Sequence, residues 1–207
     1  MTNDQGLMTK DRAPLIVVSG PSGVGKTTVV ERLLDQTDLP LRRAVTVTTR
    51  PRRENEREEV DYHFWTPERF QSEIAAGRML EHAVVFGKDY YGTPRSEVDE
   101  HLAAGRGVIL VIDVQGAARV RALAPGCLCV FIAPPDLTEL EARLRGRKDM
   151  TEERVVRRLN EARVEMARAG EFKHQIVNRD VPEAVRELEQ LIRSHLTERG
   201  GERCSTN

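Results

Sequence analysis

The chain has 207 residues, with 32 Lys and Arg against 33 Asp and Glu and a formal net charge of −1. That length suits one core with inserted lobes, and the charge balance supplies no global basic field for nucleic acid. No apolar run approaches the ~20 residues that cross a bilayer, and Met1–Ala13 is polar without a signal-peptide core, so a cytoplasmic protein is expected. Three cysteines fit a reducing compartment; Cys127 and Cys129 alternate along an expected strand and read as small core residues, because a second pair for a metal site is missing.

Residues 1–13 read as a flexible N-terminal arm. Leu15-Ile16-Val17-Val18 is a buried-strand run leading into Gly20-Pro21-Ser22-Gly23-Val24-Gly25-Lys26-Thr27, which matches G-x-x-x-x-G-K-[ST] at every fixed position. Glycines let successive N–H groups turn toward one point, and the amides of a following helix complete an anion cradle. In such a loop Lys26 reaches the β- and γ-phosphates and the Thr27 hydroxyl ligates Mg²⁺. The amphipathic pattern from Thr28 predicts a helix to about Gln36. Strand, loop and helix in that order separate the motif from an ordinary glycine turn and imply a nucleoside triphosphate site.

Leu39-Pro40 ends the helix, and the β-branched run Ala44–Thr49 predicts a strand. By composition the charge run Arg50–Glu59 is a solvated loop. Val60–Trp65 predicts another strand. Thr66 and Pro67 supply the N-cap and first position of a helix, with Phe70, Ile74 and Met79-Leu80 on its apolar face. Gly87–Pro94 reads as a loop and Arg95–Ala104 as a helix. Val108–Asp113 is an apolar run ending in an acid, as in a strand buried on both faces of a parallel sheet. An acid there can hold Mg²⁺ through water beside a phosphate loop; the plainer alternative is a helix-capping Asp. A helix over Gly116–Leu123, a strand over Cys127–Ile132 and a helix capped by Asp136 follow. A polar connection over residues 146–153 leads to a helix capped by Thr151, running to about Ala169. A strand Lys173–Val177 and a helix Val181–Leu196 complete the order, and residues 198–207 read as a flexible tail. The class is α/β, a P-loop parallel-sheet core with helices on both faces and an inserted mixed lobe.

Thr48-Thr49-Arg50 with Arg53, Asp61-Tyr62, Leu80-Glu81 and Tyr90-Tyr91-Gly92-Thr93 together resemble the guanylate kinase family in its bacterial single-domain form. The resemblance runs from about Leu15 to Leu196. It continues in Asp113-x-Gln115-Gly116, Ile132–Pro135, Arg143-Leu144-x-Gly146-Arg147, Arg158-Leu159 and Ile176-Val177-Asn178. It implies an ATP:GMP phosphotransferase of purine nucleotide metabolism that uses Mg²⁺ and converts GMP or dGMP to the diphosphate. It also implies one domain over 14–197, with core segments 14–42 and 105–197, a GMP-binding lobe over about 43–104 and a lid over about 146–154. ATP and GMP are the expected partners; no nucleic acid, membrane or obligate protein partner is expected.

The resemblance assigns the loop residues Gly20 to Thr28, with Arg143 and Asn178, to ATP. It assigns Thr46, Arg50, Arg53, Tyr62, Glu81, Tyr91 and Thr93 to GMP, and Thr27 and, through water, Asp113 to the metal. Lys26, Arg50, Arg147 and Arg158 are its catalytic charges. Physical chemistry agrees with that set. Donor and acceptor are both polyanions, and the acceptor oxygen is already anionic, so positioning and charge neutralisation dominate. Forked guanidinium groups suit a phosphate monoester. A carboxylate at Glu81 can accept from both the N1–H and N2 amino group of guanine, and adenine offers no matching donors.

The sequence departs from the family pattern at several places. Pro51 comes one place earlier than the usual proline, and Arg52 precedes Arg53. Glu59 replaces a common glycine, Arg179 a common acid, and the segment Phe86–Tyr90 is one residue longer than in many members. Val111 stands where many members carry a carboxylate two residues before Asp113. Two other readings of the same fold are a phosphopeptide- or protein-binding module, which typically loses the phosphate loop, and a kinase acting on a sugar bisphosphate, which would not need Glu81 and Tyr62.

Overall fold

The computed structural model describes residues 13–85, 89–146 and 151–201. In chain order the elements are β1 (Leu15–Ser19), α1 (Lys26–Gln36), β2 (Leu41–Arg43), β3 (Val47–Thr48), β4 (His63–Phe64), α2 (Pro67–Ala75), β5 (Met79–Val85), β6 (Asp89–Pro94) and α3 (Ser96–Ala103). Then follow β7 (Gly107–Val111), α4 (Val114–Leu123), β8 (Leu128–Ala133), α5 (Leu137–Arg145), α6 (Glu152–Ala167), β9 (His174–Val177) and α7 (Val181–Gly201).

Five strands form one parallel sheet in the order β2-β7-β1-β8-β9. Its three inner strands, β7, β1 and β8, are almost wholly apolar because both faces are covered, whereas the edge strands β2 and β9 carry polar residues. The period-two rule divides them. Val17, Leu110 and Phe131 face α3 and α4; Val18, Ile109 and Val130 face α1 and α7. β1 is central, so the loop that follows it opens at the carboxyl edge of the sheet, between β7 and β8. Open α/β sheets bind ligands at that edge. α5 and α6 pack on each other through Leu140, Leu144, Val155, Leu159 and Ala162.

The inserted lobe is a second, mixed sheet in the order β4-β3-β6-β5. Its small core is Val47, Phe70 and Met79, with Trp65, Ile74 and Tyr90 packed against it.

Several expected elements differ. Met79-Leu80 is not the end of a helical face: α2 stops at Ala75, and Met79 opens β5. Of the expected loop over Gly87–Pro94, residues 89–94 are β6, paired antiparallel with β5. Gly92 in that strand is a close approach, since a Cβ there would lie 2.6 Å from the Glu81 carbonyl oxygen. The strand expected over Val60–Trp65 shrinks to His63–Phe64, and the strand expected over Ala44–Thr49 to Val47–Thr48, with β2 as an additional strand before it. The last helix continues past Leu196 to Gly201, so the tail expected from 198 is helical in its first part. The arm expected over 1–13 and the tail from 202 onward fall almost wholly outside the described residues, as does the centre of the lid, residues 147–150.

Candidate active site

The phosphate loop has the geometry its glycines predict. Gly20 has φ +139°, and a Cβ there would lie 2.1 Å from the Ile132 carbonyl oxygen of β8, so only glycine fits. Gly25 is the N-cap of α1, which begins at Lys26. The Lys26 ammonium donates to the carbonyls of Gly20 at 2.6 Å and Pro21 at 3.0 Å, bridging its own loop.

Behind the loop, Val24 is fully buried. Its carbonyl accepts from Asn178 Nδ2 at 2.7 Å and Arg143 Nη1 at 3.4 Å, while Arg143 Nη2 donates to the Asn178 carbonyl at 2.9 Å. Asn178 is only 1% exposed. Both residues therefore brace the loop from beneath.

One cleft of about 410 Å³ joins this loop to the inserted lobe. Its core wall carries Ser22, Gly23, Gly25, Lys26, Thr27, Thr28, Asp113 and Arg158; its lobe wall carries Thr46, Arg50, Arg53, Tyr62, Glu81 and Tyr91. Most residues singled out from the sequence are thus brought together from both ends of the chain. Thr93 sits just behind, fully buried, its hydroxyl donating to Glu81 Oε1 at 2.7 Å. Arg147 lies outside the described residues.

Glu81 is 6% exposed. Burial pushes its carboxyl up to about 7, the Thr93 hydrogen bond working against this and the Asp113 charge adding to it. Its Oε2 lies against Gly116 in the first turn of α4, where a Cβ would approach to 2.7 Å. The glycine of the Asp113-x-Gln115-Gly116 group is thereby explained. Asp113 is the N-cap of α4, its Oδ1 accepting from the Gly116 N–H at 2.7 Å. The capping role is therefore realised, and Asp113 also lines the cleft together with Val111.

The two arginines of the lobe are organised by a residue the sequence reading passed over, Glu56. Its carboxylate takes both terminal nitrogens of Arg50, Nη1 at 2.6 Å and Nη2 at 2.5 Å, and the Arg53 backbone N–H at 2.9 Å; Arg53 Nη1 is 3.7 Å away. Arg50 Nε donates to the Tyr91 hydroxyl at 3.0 Å, and the guanidinium lies 5.1 Å from the Tyr62 ring centre. Burial opposes the charge of Arg50, but Glu56 and Tyr91 hold its pKa above the ordinary value. Burial also raises the Tyr62 phenol.

Glu161 and Glu165 were likewise passed over. With Arg158 they are spaced i, i+3 and i+7 on α6, one helix face, and all three line the cleft. Arg158 hydrogen-bonds the Ser22 hydroxyl. The Glu165 carboxyl is raised by burial, with the Lys26 charge opposing. The helical spacing was the available signal.

A phosphate cradle and a buried carboxylate thus share one cleft, with paired arginines beside it. A family model described as guanylate kinase matches residues 12–195. The chain belongs to the guanylate kinase family. A guanylate kinase of Synechococcus sp. (strain CC9902) is 47% identical over 84% of this chain and 92% of that relative. One from Streptococcus thermophilus is 43% identical over 88% and 87% respectively. A crystal structure of guanylate kinase from Anaplasma phagocytophilum superimposes with a TM-score of 0.74 at 30% identity, covering 88% of this chain and 86% of that one. Membership of the guanylate kinase family accounts for both sheets, because that likeness spans the core and the inserted lobe.

Proposed function

We propose that this protein transfers the γ-phosphoryl group of ATP to GMP and dGMP, giving ADP and GDP or dGDP. The observation that carries the reading is Glu81, a buried carboxylate bonded to Thr93 in the same cleft as the phosphate loop. Guanine fits that carboxylate because it presents two donors on one edge. Thr46 completes the base site. Arg50, Arg53, Tyr62 and Tyr91 hold the GMP phosphate, since two fixed forks and two hydroxyls match its oxygens. The loop amides and Lys26 hold the ATP phosphates, with Arg143 and Asn178 keeping the loop in shape.

Arg158, and Arg147 of the lid, neutralise charge on the transferring group. Bringing two polyanions into line is the main work of such a site. The GMP oxygen attacks as an anion, so no residue has to remove a proton. Mg²⁺ fits the oxygen donors: a hydroxyl at Thr27 and a carboxylate at Asp113 line one cleft, and this ion completes its shell from water and substrate phosphates. When bound, it would neutralise the β- and γ-phosphate oxygens.

No helix among the described residues is long and apolar enough to cross a membrane. With thiols rather than a disulfide at Cys127 and Cys129, the cytoplasm is the compartment we assign. The test is ADP release from ATP-Mg²⁺ with a panel of nucleoside monophosphates. GMP and dGMP should be phosphorylated, with AMP, CMP and UMP far poorer; comparable turnover of AMP contradicts the reading.

A further inference from the structure

Both chain crossings between the core and the lobe meet at one carboxylate. The chain enters the lobe through residues 44–46, after β2, and leaves it through α3, before β7. Glu97 lies in the first turn of α3. Its Oε2 accepts from Arg42 Nη2 of β2 at 2.9 Å and from the Val45 backbone N–H at 3.1 Å. Its Oε1 lies 3.3 Å from Nε2 of His63 in β4. The His63 backbone N–H in turn donates to the Thr46 carbonyl at 2.9 Å. Thr46 is therefore bracketed: the Ala44–Val45 peptide ahead of it is tied to Glu97 directly, and its own carbonyl through His63.

This is not an ordinary surface pair. The Glu97 side chain is 18% exposed, and it joins core strand, junction and lobe strand at once. Although burial works against its charge, hydrogen bonds from His63 and Val45 and the Arg42 charge hold its carboxyl below the ordinary value. Charge-assisted hydrogen bonds of this kind are roughly twice as strong as neutral ones. Glu97 itself does not line the cleft, whereas Thr46 does.

We infer that Glu97 is a positioning residue for the acceptor nucleotide: it fixes Thr46 and, through it, the part of the lobe that takes the GMP base. The inference rests on the GMP reading above. It follows that loss of Glu97 should weaken use of GMP and leave use of ATP intact, because the phosphate loop touches none of these residues. A merely structural role would lower both together.

The experiment is steady-state kinetics of Glu97→Ala, Glu97→Gln and His63→Gln, varying each substrate separately, with thermal melts alongside. Glu97→Ala should raise KM for GMP about tenfold, the effect of losing one charged hydrogen bond. KM for ATP and kcat should stay within about twofold. Glu97→Gln should fall between, because its amide oxygen still accepts from Val45. His63→Gln, a half-buried lobe residue, should raise KM for GMP by about threefold, and it decides the matter if Glu97→Ala does not fold. An unchanged KM for GMP, or an equal rise for both substrates, overturns the inference while the unaltered protein still phosphorylates GMP. If the unaltered protein does not phosphorylate GMP, the proposed function and this inference fall together.

Discussion

Glu56 makes the two lobe arginines usable. Arg50 and Arg53 repel each other and would lose side-chain entropy on meeting a phosphate; Glu56 holds them in place beforehand. Arg50 has five N–H donors, of which Glu56, Tyr91 and the Pro51 carbonyl take four, so one remains for the nucleotide in this arrangement. Glu56→Gln should raise KM for GMP about tenfold with KM for ATP unchanged. A lower KM for GMP would instead mark Glu56 as a competitor for the phosphate site. Glu81 gives a pH prediction. Burial raises its carboxyl to about 7, and only the ionised form accepts from both guanine donors. Below that pH, GMP must expel a proton on binding, so KM for GMP should rise toward roughly tenfold per pH unit as pH falls to about 5.5. GMP titrates too, so the profile is read against Glu81→Gln, whose KM should lack this component. Identical profiles would refute it.

At the scale of elements, β1, the phosphate loop, α1 and β7 were legible because buried parallel strands and fixed glycine spacing leave few alternatives. The N-cap Thr66 was equally clear, and its side chain accepts from the Arg69 N–H at 3.2 Å. β5 and β6 were not. Grouping Met79-Leu80 with the apolar face of Phe70 and Ile74 ignores that, at ~100° per residue, Met79 falls on the opposite side of such a helix. Gly92 and Pro94 look like loop residues until the close approach at Glu81 is known. The charge run Arg50–Glu59 is a mostly exposed loop, as its composition suggests, but composition does not reveal that Arg50 and Glu56 pair within it. Glu59, in place of a common glycine, has φ +62°, and is the only non-glycine with positive φ among the described residues. Most residues singled out from the sequence line one cleft. Glu56 was missed because a lone carboxylate in a charged loop carries no spacing signal, whereas Glu161 and Glu165 were missed although their i+3 and i+7 spacing from Arg158 on an expected helix could have found them. At the end of β7, Asp113 and Val111 both line the cleft. Val111→Asp should be tolerated with a modest shift in activity, because a Mg²⁺ ion with water and phosphate ligands needs few protein oxygens. Asp113→Asn should lower kcat severely, with circular dichroism confirming the fold. Wild-type kcat and KM in Asp113→Asn would leave Asp113 only its capping role.

At the scale of the molecule, the lobe brings Arg50 and Arg53 and the core brings Lys26 and Arg158 to opposite walls of one cleft. Substrates that neutralise both walls should draw them together and exclude water that would otherwise accept the phosphoryl group. Small-angle scattering with a bisubstrate analogue should show a smaller radius of gyration than the protein alone; no change would count against closure. Recognition of guanine remains the claim on which the rest depends. The measurement that tests it most directly is the ratio of kcat/KM for GMP to that for AMP, in the unaltered protein and in Glu81→Ala. A site built to bond substrate donors rejects analogues lacking them by ~10⁴-fold. The ratio should be of that order in the unaltered protein and collapse by about a hundredfold or more in Glu81→Ala; a ratio that the substitution leaves unchanged would contradict the account.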